Sequence, residues 1–356
     1  MTWAYIRVRS KRHIPDWMVM SNSKIITSDL ESWMMATEPR HNEFDPSHHE
    51  SVLVKSFYLD KYHPLNEIHE YLNEIDKLNR VKVIDVGYSH EGRMIKGIEI
   101  RNSQNDHDYI WIDACTHARE WITVSTAMFI IEKIILSGIK KNFIIVPVIN
   151  VDGYEYTWTT DRMWRKNRRI YQKSSKLTVE MPDRCNGVDL NRNWDINFGG
   201  EGSSLNPCSY LYAGPGPFSE PETRAVGDLI WTLRNQIKLF ISLHSFNQLW
   251  ACPYAYTKFP SKHTRHHLNV LKDIQNAVFN EDGVKYRFGP LSSSLYVGSG
   301  FAMDWVYDKL GIVNSYLVEL RDKGEYGFLL PSHQIIPTAS ETWKGIQVAI
   351  DKIFFK

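Results

Sequence analysis

The chain has 356 residues, 43% of them hydrophobic and 23% charged, with a formal net charge of +1. So even a balance supplies neither a basic field for nucleic acid nor an acidic tail, and the length suits one large domain plus a minor segment. The most apolar span, residues 121–135, is interrupted by Glu132 and Lys133; it reads as a buried helix, too short to cross a bilayer. The first twenty residues carry Arg7, Arg9, Lys11, Arg12 and Asp16 and show no apolar core of a signal peptide.

Residues 1–56 alternate apolar bursts with charged stretches such as EPRHNEFDPSHHE and hold no lasting period. Regular order begins after them. Pro64 opens LNEIHEYLNEIDKLN, which places Leu65, Ile68, Tyr71, Leu72, Ile75 and Leu78 on one helical face. The short, β-branched runs VKVIDVGYS, MIKGIEI and YIWIDAC read as strands, followed by a helix over residues 121–137 and the strand NFIIVPVIN. Residues 151–218 read as mostly irregular, rich in Gly, Asn, Arg and aromatics, and such stretches inside compact domains are usually functional surface. Ser219 and Glu222 spell a capping box for a helix through Leu233. KLFISLHSF and NSYLVEL read as strands, KHTRHHLNVLKDIQNAVF and ETWKGIQVAIDKIF as helices. The alternation predicts an α/β fold, a mixed sheet with helices on both faces, in which sites form where strands end. Cys115 and Cys252 lie in apolar runs and read as buried free thiols; Cys185 and Cys208 lie in a Gly- and Pro-rich region.

The segment DACTHAREW sets His117 and Glu120 three residues apart after a strand. An imidazole and a carboxylate so spaced can converge on one point. His244, ending the strand of SLHSF, is the natural third ligand, and three protein ligands leave zinc's fourth position open for water. H-x-x-E alone recurs by chance, so the surroundings decide its weight. His48, His49, His263, His266 and His267 lack a carboxylate at ligand spacing in a strand-end motif and read as solvated.

Those surroundings carry, in order, YHPLNEIHEYL, YSHEGRMI, HAREW, INVDGYEYTW, DRMWRKNR, GVDLNRNWD, PFSEPET, SLHSF, LYVGSGFAMDW, ELRDKGEYGFLLP and QIIPTASETW. Across residues 57–356 the chain resembles the carboxypeptidase A/B branch of the zinc metallocarboxypeptidases. The resemblance implies a mixed parallel/antiparallel sheet of about eight strands, one zinc ion per chain, and hydrolysis of the C-terminal bond of peptides with a free terminal carboxylate. It implies His117, Glu120 and His244 as zinc ligands and Asp189 as the carboxylate orienting His117. Glu319 becomes the general base and Arg165 the cation beside the oxyanion. Asn191 and Arg192 match the reader of the terminal carboxylate, which a planar guanidinium suits; Tyr296 matches a phenol that closes over the substrate terminus. Arg119 and Phe328 match groups that meet the peptide upstream of the cut, and Cys185 with Cys208 matches a disulfide of the branch. By the same resemblance the protein is an extracellular, monomeric zymogen with an activating protease and no nucleic-acid or membrane partner. Residues 1–56 are then a partial prosegment, too short for a whole inhibitory domain, with the activating cut near Lys55 and the catalytic domain at 57–356.

Three positions depart from the family's pattern. Phe246 stands where members often carry tyrosine. Met303 occupies the position that sorts the branch, and with Ala251 and Ala255 it predicts an apolar pocket for aliphatic or aromatic terminal residues. Phe301 stands where glycine is usual. Two other readings fare worse: a non-catalytic binding module would have lost a ligand or the base, and a hydrolase of small amides or esters would not need Asn191 and Arg192.

Overall fold

In the computed structural model, residues 49–170 and 183–355 are described; most of the expected prosegment, including His48, lies outside them. The chain runs through α1 (Leu65–Ile75), β1 (Val81–Tyr88), β2 (Met94–Ile100), β3 (Tyr109–Asp113), α2 (Trp121–Ser137), β4 (Asn142–Val146) and α3 (Val151–Thr159). It continues through α4 (Pro221–Leu233), β5 (Ile237–His244), β6 (Leu249–Cys252), α5 (Thr264–Asp282), β7 (Arg287–Pro290) and α6 (Leu291–Ser294). The last elements are α7 (Ala302–Leu310), β8 (Asn314–Glu319) and α8 (Ile335–Phe354).

The eight strands form one sheet in the order β1-β2-β4-β3-β5-β8-β6-β7. The inner run β4-β3-β5-β8 is parallel, whereas β1 and β2 join antiparallel on one side and β6 is antiparallel to β8 on the other. Every residue of β3 and β4 is buried, which requires cover on both faces, as expected for parallel strands. Helix α8 packs on both α2 and α5, while α4 lies against β1 and α7 against β5 and β8. Helix α2 is buried almost all round. Its Glu132 is tied down by Ser51 Oγ, by the Val52 N–H at 3.2 Å and by Tyr71 OH at 3.2 Å, since a buried carboxylate without donors would be costly. No helix among the described residues is long and apolar enough to cross a membrane.

Four local expectations are corrected. Helix α4 starts at Pro221 with no side-chain cap bond: Glu222 instead accepts from the His90 N–H (2.9 Å) and Asn167 Nδ2 (3.0 Å), and Ser219 Oγ donates to Glu220 (2.7 Å). Leu78 lies past the end of α1 and is 37% exposed. The irregular stretch opens with a true helix, α3, because Asn150 Oδ1 accepts from the Gly153 N–H at 3.0 Å and caps it. His267 is buried, not solvated: it packs beside Tyr307 and Tyr316 and meets the Val313 carbonyl at 2.8 Å through Nε2.

Candidate metal centre and active site

The site is built where β3, β5 and β8 end side by side. Register sets Asp113 of β3 opposite Ser242 of β5, and His244 of β5 opposite Glu319 of β8. After β3 the chain turns through His117 and Glu120 before entering α2. That turn is fixed from several sides: Thr123 Oγ1 accepts the Cys115 N–H (3.1 Å) and donates to the Glu120 carbonyl (2.7 Å), and Ala118 N–H reaches the Arg165 carbonyl (3.0 Å). Asn150 Nδ2 bonds the Thr116 carbonyl (3.2 Å) and the Lys166 carbonyl (3.0 Å). The motifs HAREW, INVDG and WRKNR are thus joined into one support.

His117, Glu120 and His244 come together with one ligand atom from each, all within 4.8 Å of one another and all three residues buried. His117 Nδ1 is 2.8 Å from Glu120 Oε1, His244 Nδ1 is 3.1 Å from Oε2, and the two Nδ1 atoms face each other at 3.2 Å. Two imidazole nitrogens and a carboxylate turned toward one point are an arrangement that calls for a cation. Two histidines and a glutamate are the donor set of a catalytic zinc site with one open position, so the residues present fit the metal. The outer nitrogens are held as well. His117 Nε2 lies 3.1 Å from Asp189 Oδ1, and His244 Nε2 lies 3.3 Å from Ser242 Oγ.

The charges agree with this assignment. Burial alone would raise the Glu120 carboxyl, but His117 and His244 hold it well below the usual range. Burial and the Arg165 charge lower His117; burial also opposes protonation of His244, yet Glu120 and Glu319 raise it. Glu319 is pushed up to about 8, by burial first and then by the Glu120 charge. Asp189 would be raised by burial but is held far down by Arg165, Arg192 and His117.

Of the other expected residues, Arg165 and Asn191 reach this cluster. Arg165 donates to Asp189 Oδ2 through Nε (3.1 Å) and Nη2 (2.9 Å), with Nη1 3.9 Å from Glu120. Asn191 Oδ1 accepts from the Ala302 N–H (3.0 Å), which directs Nδ2 to the His244 ring at 3.3 Å. Arg192 is fully buried; it bonds the Gly202 and Asn191 carbonyls at 2.8 Å each and Tyr296 OH at 3.3 Å. The Arg119 guanidinium sits 4.0 Å over the Phe328 ring, and Phe246 meets Phe328 edge-on at 5.0 Å. Met303 is buried in an apolar cluster with Ala251, Ala255 and Phe301. Cys185 and Cys208 are joined by a disulfide, while Cys115 and Cys252 are buried and free.

Two supporting groups sit inside the motifs above without a role being assigned to them: Asp113 opens DACTHAREW and Arg162 lies in DRMWRKNR. Asp113 accepts from Ser242 Oγ at 2.6 Å and from Trp111 Nε1 at 2.7 Å, so a carboxylate stands behind His244 through a hydroxyl. Arg162 stacks 3.7 Å over Trp121 and donates to the Arg119 (2.9 Å) and Phe328 (2.7 Å) carbonyls, tying those two segments together. For Asp113 and Ser242 the available hint was a polar residue inside an apolar strand run, which needs a buried partner.

Residues 68–345 match the sequence profile of the zinc carboxypeptidases. Carboxypeptidase A5 of Macaca fascicularis is 39% identical over 84% of this chain and 69% of its own length. Carboxypeptidase B of Astacus astacus is 38% identical over 81% of this chain and 95% of its own. The structure of bovine thrombin-activatable fibrinolysis inhibitor in complex with tick carboxypeptidase inhibitor aligns with TM-score 0.77 and 37% identity, over 84% of this chain and 99% of that one. The chain belongs to the zinc carboxypeptidase family. It is a metallocarboxypeptidase, with zinc as its cofactor and peptides as its substrates.

Proposed function

We propose that His117, Glu120 and His244 hold the zinc ion and that Glu319 is the general base. When bound, zinc polarises the scissile carbonyl and lowers the pKa of its water to roughly 7. Glu319 ends β8 opposite His244, and its charge acts on His244 as the Glu120 charge acts on Glu319 itself; it takes the water's proton and returns it to the leaving amine. This juxtaposition carries the reading. Arg165, already paired to Asp189, turns Nη1 toward the ligand cluster and faces the oxyanion. Asn191 and Arg192 read the terminal carboxylate, with Tyr296 closing over it, and Arg119 and Phe328 line the upstream groove.

Relatives named carboxypeptidase A and carboxypeptidase B stand at nearly equal identity, so the preference is read from the pocket. Met303, Ala251 and Ala255 form an apolar floor, which favours aliphatic or aromatic terminal residues over lysine or arginine. The disulfide suits an oxidising, extracellular compartment. The exposed Lys55, in a turn closed by Phe57 N–H on the Val54 carbonyl, is where we place the activating cut. Residues 57–356 are then the catalytic domain of a secreted, monomeric zymogen.

Glu319→Gln tests the mechanism. It should retain zinc, by metal analysis of the purified protein, and lose on the order of 10²–10⁴ in kcat. Peptide hydrolysis at an undiminished rate would falsify the assignment of the base.

A further inference from the structure

Phe301 precedes α7 with extended backbone (φ −85°, ψ 140°) and is only 2% exposed. Its ring centre lies 4.3 Å from the guanidinium carbon of Arg192, the residue assigned above to the substrate's terminal carboxylate. The same ring packs into the apolar cluster of Ala251, Ala255, Leu291 and Met303. It therefore bridges the carboxylate reader and the apolar floor, the two surfaces between which the last side chain of a substrate must fit. Gly298 holds it there. A Cβ at that position would lie 2.6 Å from Phe301 Cε2, so the bare glycine admits the ring, and the ring rests against glycine backbone on that side. Guanidinium stacking and burial both oppose displacement. Ala251 and Ala255 are the short members of that cluster, and Phe301 is, among the described residues, its one aromatic ring.

We propose that Phe301 is the size filter of the terminal side-chain pocket: the enzyme releases small aliphatic residues in preference to phenylalanine and tryptophan. This rests on the apolar reading of the pocket. An aromatic terminal side chain has to push the ring off Arg192 or enter an overfilled space, and crowding of that kind lowers kcat/KM by about tenfold or more.

The test measures kcat/KM for matched peptides ending in Ala, Val, Leu, Phe, Trp, Lys and Arg, with the wild type, Phe301→Ala and Phe301→Leu. Because Phe301 also lies against Arg192, the variants should bind every substrate less well. The quantity read is therefore the ratio between two substrates within one protein, which does not depend on the folded fraction. The wild type should favour Ala, Val and Leu, and Phe301→Ala should raise the Phe-to-Ala ratio at least about tenfold, with Phe301→Leu between. If the wild type already releases Phe and Trp as fast as Leu, or if neither variant moves the ratio, Phe301 is no filter, although the apolar pocket stands. Fastest release of Lys or Arg would instead overturn the apolar reading beneath it.

Discussion

Removing the carboxylate of Asp189 should loosen zinc and the fold together. The side chain is completely buried and accepts four hydrogen bonds: from His117 Nε2, from the Asn191 N–H at 3.0 Å, and from Arg165 twice. Its pKa is far below the usual carboxylate range, so it is ionised at neutral pH and its contribution is lost only as pH falls into strong acid. Asp189→Ala leaves Arg165 as a buried cation without its main partner, and breaking a buried pair from one side costs about 3–5 kcal/mol. It also frees His117 to rotate and to change tautomer, and losing such an orienting carboxylate typically costs about 10–100-fold in metal affinity. Asp189→Asn keeps the volume and one acceptor oxygen, but its amide must face either Arg165 or His117, both donors here; it should fall between. Chelator competition gives the zinc affinity, and urea unfolding of chelator-treated protein gives the stability without the metal. Zinc affinity within twofold of wild type in Asp189→Ala, with unchanged unfolding, would show that Asp189 neither orients His117 nor balances Arg165.

Away from the site, burial first, and then His266 and His263, lower His267 to about 4. The unfolded chain takes up that proton near pH 6.5 and the folded chain does not, so this residue's contribution is complete above pH 6.5 and lost as pH falls toward 4, about 3 kcal/mol in all. His267→Gln should lose less stability between pH 7.5 and 4.5 than wild type in paired urea titrations; parallel pH curves would refute this. Replacing both Cys185 and Cys208 by serine opens a loop of sequence separation 23, expected to cost about 3 kcal/mol and to lower Tm by several degrees. Lys166 Nζ still bonds the Arg184 (3.1 Å) and Pro207 (2.8 Å) carbonyls beside the two cysteines, so the double variant should fold. Calorimetry showing an unchanged Tm would mean that this lysine alone suffices.

What the sequence made legible and what it hid differ in range. The pair His117 and Glu120 could be read because both belong to one turn, and α2 because residues 121–135 are apolar almost throughout. Helix α4 forms one residue later than a Ser219 cap implies, and the capping box is absent: Glu222 is claimed by His90 and Asn167, which are 132 and 55 residues away, and a distant buried donor outweighs a local cap worth about 1 kcal/mol. The burial of His267 is hidden for the same reason, since nothing beside it in sequence announces Tyr307, Tyr316 and the Val313 carbonyl. The support behind His244 is the clearest case. Asp113 and Ser242 are 129 residues apart and share no motif; only the parallel pairing of β3 with β5, which sets them opposite one another, turns two unremarked polar residues into a brace for a metal ligand. Such pairs become readable once the strand order is known, because register then fixes every cross-strand neighbour. Phe301 extends this logic to specificity. Its bulk is visible in the chain, but its effect depends on Gly298 beneath it and Arg192 beside it, and only the folded loop brings these together.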